Sequence, residues 1–136
     1  MRKLLAAALL LVPALLAAEP PVPPRKATPE MRAQLTLEVA DLKKQLLTSP
    51  SDPELYVKLG FKYARLDMPD EAQAAFENAV RLDPRRAIAH YMLGLIYEKK
   101  GMRDKALAAW KACLENAQDP HMKETAERHI FHLSQP

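Results

Sequence analysis

Five side chains in this sequence could carry chemistry: Cys113, His90, His121, His129 and His132. Their spacing limits what that chemistry is. No Ser-His-Asp or Cys-His arrangement is legible, so nucleophilic catalysis has no evident set. His129 and His132 lie three apart, close enough on one helix to share an ion. They bring no carboxylate or third ligand, and two imidazoles alone are a weak metal site. A single cysteine excludes an intramolecular disulfide framework, a Cys-based zinc site and haem attachment. Three glycines leave no phosphate-cradling loop. The expectation is therefore a protein without catalytic residues, metal or cofactor, which is not an enzyme.

Length and charge narrow this further. The 136 residues suffice for one small domain. The net charge of +3 includes Arg2 and Lys3. Without those two, basic and acidic residues nearly balance, and no Lys/Arg-dense run remains. A nucleic-acid partner is therefore not expected.

Arg2-Lys3 followed by an apolar run from Leu4 to Ala18 has the make-up of a signal peptide. The run is shorter than the roughly 20 residues of a spanning helix. Residues 1–18 are read as an export signal cleaved after Ala18, placing the mature chain in a periplasmic or secreted compartment. Leu16 stands where a small residue is usual, so an uncleaved inner-membrane anchor is the alternative. Residues 19–28, EPPVPPRKAT, are read as a Pro-rich linker, either a semi-rigid polyproline II spacer or a leader without a role. The domain occupies 29–136.

From Thr28 onward the apolar period is helical. Met31, Leu35, Val39, Leu42 and Leu46 form one stripe, and Thr28-Pro29 supplies an N-cap and a first-turn proline. Ala33, Leu37, Ala40 and Leu47 form a thinner second stripe, and a helix apolar on two sides needs two neighbours. A shift of 34 residues then aligns the chain with itself. Leu59, Gly60, Tyr63, Met68, Asp70, Ala72, Ala74 and Ala75 recur as Leu93, Gly94, Tyr97, Met102, Asp104, Ala106, Ala108 and Ala109, with Phe76 answered by Trp110. Each copy holds two helical stretches. The first copy breaks at Asp67-Met68-Pro69 and ends at Asp83-Pro84; the second breaks at Gly101 and ends at Asp119-Pro120. Asp before Pro is read as a helix start at both ends.

This period and these residues resemble the tetratricopeptide repeat family. Tyr56, Leu59, Gly60 and Tyr63 match its first-helix positions, and Ala72, Phe76, Ala79 and Pro84 its second helix and exit. The second copy departs at His90, where an aromatic is usual, at Cys113, where alanine is usual, and at Gln118, where proline is usual. The resemblance implies an all-α solenoid of antiparallel helix hairpins. Its full repeats are about 53–86 and 87–120, with an N-terminal helix and a C-terminal capping helix at the flanks. Cys113 then falls at a small buried position, as an inert structural thiol. His90 replaces a core aromatic, and His121 lies in the first turn of the last helix. Met122, Ala126, Ile130 and Leu133 give that helix an inner side, while Lys123, Glu124, Glu127 and Arg128 give it a polar outer face.

The resemblance also implies a concave face lined by the first helices. Val57, Phe61 and Arg65 should face it from one unit, and Ile88, Tyr91, Leu95, Glu98 and Lys99 from the next. The family's carboxylate clamp of Lys, Asn and Arg is missing from these positions. The strip is apolar with a charged rim, suited to an apolar or amphipathic segment of a partner protein. Internal packing by the flanking helices is the competing reading of the same stripe. Self-association as a scaffold subunit, through the second stripe of the 29–48 helix, is the alternative function.

Overall fold

The computed structural model describes residues 26–136. The signal segment 1–18 and most of the 19–28 linker lie outside the described residues. Within them are six helices: α1 Pro29–Thr48, α2 Pro53–Arg65, α3 Pro69–Leu82, α4 Ala87–Lys99, α5 Arg103–Asn116 and α6 Pro120–Ser134. No described helix is long and apolar enough to cross a membrane.

Local chemistry sets half of the six helix starts. The Thr28 hydroxyl accepts from the Met31 amide at 3.2 Å, Asp52 from Glu54 at 2.9 Å and Asp119 from His121 at 3.1 Å. A proline in the first turn follows each of these caps and loses no helical hydrogen bond. Asp83-Pro84 behaves differently. There the Asp83 carboxylate accepts from the Arg85 amide at 3.1 Å, and its carbonyl from the Arg86 amide at 3.1 Å. The result is a turn, and α4 starts only at Ala87 without a side-chain cap. The same dipeptide begins α6 but not α4: the carboxylate bond is alike at both, but the Asp119 carbonyl accepts from Lys123 four residues on, in helical register, and the Asp83 carbonyl from Arg86 three residues on, as a turn.

Each repeat reverses direction at one position. Asp67 has φ 59° and Gly101, 34 residues on, has φ 71°. Met68 then donates to the Tyr63 carbonyl at 3.0 Å, and Met102 to the Tyr97 carbonyl at 2.8 Å, satisfying carbonyls at the helix end. Aspartate tolerates this left-handed conformation better than most residues with a Cβ, at a cost of roughly 1–2 kcal/mol.

The core is built from two hairpins, α2–α3 and α4–α5. Phe76 and Trp110 are fully buried at their centres. Gly60 and Gly94 face these rings so closely that a Cβ would lie 2.7 Å from Phe76 and 2.5 Å from Trp110. Alanines at 72, 79, 89 and 106, all fully buried, let neighbouring helices approach. Cys113 occupies such a small, fully buried position as well, and burial pushes its thiol up to about 11. The flanks extend the stack. α1 buries Leu35, Val39 and Leu42 and packs on α2; α6 buries Ala126 and packs on α5. In the order of the stack α1 stands as a second helix and α6 as a first.

His90 is half-buried rather than a core residue. Its Nε2 lies 2.7 Å from the Pro84 carbonyl, as the Tyr56 hydroxyl donates to the Pro50 carbonyl at 3.2 Å one repeat earlier. The imidazole thus replaces the phenol's hydrogen bond rather than its apolar bulk.

Candidate functional site

The concave row begins with aromatics held against the core. Phe61 meets Phe76 edge-on, with centroids 5.3 Å apart and planes at 86°. Tyr91 meets Trp110 in the same way, at 5.1 Å and 84°. Both geometries are favourable for aromatic quadrupoles and leave one side of each ring outward. Phe61, Ile88 and Tyr91 are half-buried, while Leu95 is 37% exposed. A cleft of about 140 Å³ runs between the C-terminal turn of α2 and α4, lined by Ala64, Met68, Leu95, Ile96 and Lys99. Asp67 and Lys99 are exposed at its edges, while Arg65, also exposed, reaches the Met31 sulfur on α1 at 3.5 Å.

Two of the expected residues do not sit on an open surface. Val57 is only 4% exposed and belongs to the same buried cluster as Leu35, Val39 and Leu42. The packing of α1 on α2 accounts for this, because the first unit of the row has a neighbour before it. Glu98 is half-buried, and its carboxylate lies 2.7 Å from Nδ1 of His129 on α6. The flanking helices therefore cover the two ends of the strip. Between them Phe61, Ile88, Tyr91 and Leu95 present outward apolar surface.

His129 is the residue whose place the sequence reading missed. It lies flat on Trp110, with centroids 4.2 Å apart and planes 14° apart. Its repeat equivalents at intervals of 34 are Leu95 and Phe61, so the period carried one step further would have put it in the concave row. His132 lies instead beside Phe131 at the surface. Among the described residues no group of three or more His, Cys, Asp or Glu side chains is placed to hold a metal ion.

Cross-repeat polar contacts make the row rigid. The Tyr97 hydroxyl donates to Glu77 at 2.7 Å. Burial first, and then this hydrogen bond to a carboxylate, push the phenol's pKa upward. Lys100 reaches back to Asp70 at 2.5 Å and Gln73 at 2.6 Å. Arg86 pairs with Glu54 across the same junction. Arg103 donates to the Leu133 carbonyl at 2.8 Å through Nε and holds the end of α6. The arrangement offers a preformed apolar strip with fixed aromatic edges.

Residues 53–86 and 87–120 match the family model described as Tetratricopeptide repeat. A 49-residue stretch is 39% identical to "Tetratricopeptide repeat protein 37" of Xenopus laevis. That match covers 36% of this chain and 3% of the Xenopus protein.

Proposed function

The chain belongs to the tetratricopeptide repeat family, whose repeats mediate protein–protein interaction, and from that premise we propose an exported, non-enzymatic binding module. Its concave face takes an apolar or amphipathic segment of a partner protein. The observation that supports this reading is the outward surface of Phe61 and Tyr91, each fixed edge-on to a buried ring. Side chains already held in place lose little entropy on binding, so more of the apolar burial appears as affinity. Lys99 at the rim favours a segment carrying a carboxylate beside its apolar positions. Export rests on the signal-like composition of residues 1–18.

The test is a photoreactive residue at Leu95 in the full chain, crosslinked in cells. A discrete adduct to another protein, lost when Tyr91→Ala is added, is expected. Adducts confined to the chain itself would overturn the reading. The N-terminal sequence of the purified protein tests export: a mature chain beginning at Glu19 is expected, and retention of Met1 or its neighbours argues for the anchor.

A further inference from the structure

Two of the most exposed large apolar side chains sit at opposite ends of the stack. Leu37 on α1 is 67% exposed and Phe131 on α6 is 63% exposed. The polar outer face expected of α6 is thus interrupted by an aromatic. The repeat register relates the two positions.

Each complete hairpin has the same outer groove between its first and second helix. In the first unit Tyr56, Leu59 and Tyr63 face Glu71, Ala74 and Asn78. In the second, His90, Leu93 and Tyr97 face Lys105, Ala108 and Ala112. The first-helix triplet moved on by one period is Glu124, Glu127 and Phe131 of α6. The second-helix triplet moved back by one period is Leu37, Ala40 and Lys44 of α1. α6 is thus a first helix without a second among the described residues, and α1 a second helix without a first. The Tyr97–Lys105 pair, with Nζ 5.7 Å from the ring centroid, is the intramolecular counterpart of Phe131 and Leu37.

We propose that copies of this chain associate head to tail, α6 of one copy docking as the missing first helix against α1 of the next, with Phe131 over Leu37 and Ala40 and the carboxylates of Glu124 and Glu127 toward Lys44. An open cleft of about 570 Å³ between α1 and α2 would receive the side chains of its docking face; its walls include Leu37, Glu38, Asp41 and Leu42 of α1 and Lys58 and Lys62 of α2. Arg128 stands at the register of Gly60 and Gly94, which places it over Leu42. A leucine there instead of Phe76 or Trp110 leaves space for the arginine stem, and Asp41 offers an anionic partner to its head, Glu38 being already paired with Lys62 at 2.5 Å. The apolar contact of Phe131 and the charge contacts with Lys44 and Asp41 therefore fall in one register, with Lys58 and Lys62 on the opposite wall of the cleft.

The chain's own preceding residues fit the cleft poorly. One period before α2 lies the window 19–31, which holds prolines at 20, 21, 23, 24 and 29. Each removes an amide donor from a helix interior. Residues 29–31 of that window already belong to α1. The pairing is heterologous, so it builds open filaments or closed rings according to the rotation per step. It uses the ends of the stack and does not depend on the concave strip.

The experiment uses two full-length variants, Leu37→Cys and Phe131→Cys, mixed and treated with a short bismaleimide. Both positions are exposed, so the fold is retained, and Cys113 is buried and stays unmodified. A 37–131 intermolecular adduct is expected from the mixture, and a ladder of multimers from the double variant. Lys44→Glu should lower the yield several-fold, and Glu124→Lys with Glu127→Lys on the opposing copy should restore it. Three results overturn the proposal: no intermolecular adduct, only 37–37 or 131–131 adducts, or a yield indifferent to Lys44→Glu. Leu95→Glu should leave the ladder intact, which separates this proposal from the fate of the concave site.

Discussion

His129 lies flat on the indole of Trp110 and at the same time holds Glu98 through Nδ1 at 2.7 Å, so one side chain of α6 closes the end of the concave row. An imidazole is suited to this double part, because its face is aromatic and its edge polar. α6 is joined to the stack by this contact, by Ala126 and by the grip of Arg103 on its last carbonyls.

Replacing His129 with alanine should cost about 1–2 kcal/mol, the sum of an aromatic contact and a half-buried polar contact. Urea unfolding followed by the emission of Trp110, the sole tryptophan, reads this directly. His129→Phe should recover the stacking share but leave Glu98 unpaired. An unchanged midpoint for His129→Ala would mean that α6 is held without this contact.

Gly94→Ala should destabilise more than Gly101→Ala. The new methyl at 94 would lie 2.5 Å from a fully buried ring, and overpacking of that kind costs about 1–3 kcal/mol. At 101 there is open space, and the cost is the left-handed backbone alone, about 1–2 kcal/mol. Gly60→Ala should resemble Gly94→Ala. Thermal melts of the three variants rank them.

Cys113 should resist alkylation in the folded protein. Burial removes it from solvent and pushes its thiol up to about 11, so little thiolate exists at neutral pH. A maleimide or disulfide reagent at mildly alkaline pH is expected to react slowly with the native chain and rapidly in about 6 M guanidinium chloride, above the midpoint of most domains. Equal rates would show that the second repeat opens readily.

Tyr97→Phe should cost about 1–2 kcal/mol at neutral pH through loss of the bond to Glu77. It should also change the alkaline limb. The folded state raises the phenol's pKa above its ordinary value of 10, so the folded state holds the proton more tightly. That contribution is complete below the ordinary phenol pKa of 10 and is lost as pH rises beyond it. Wild-type stability should therefore fall more steeply above that pH than the stability of Tyr97→Phe. Parallel curves would assign the alkaline loss elsewhere, with Cys113 the next group of the same sign.

The repeat itself was legible in the sequence because its determinants are local. The pairing of Gly60 with Phe76, and of Gly94 with Trp110, is set by one hairpin's length. The caps at Thr28, Asp52 and Asp119 act over two or three residues. A period of 34 therefore identifies both hairpins and the residue types inside them. What the sequence could not show was which interface positions have a neighbour. Val57 is buried because α1 happens to lie before α2, and Glu98 is engaged because α6 brings His129 beside it. Phe131 occupies a position that is covered in a complete hairpin, where Tyr63 and Tyr97 are buried, and it stands open at the end of the stack. Burial of a side chain depends on atoms that arrive from distant parts of the chain, and only the tertiary structure assigns those.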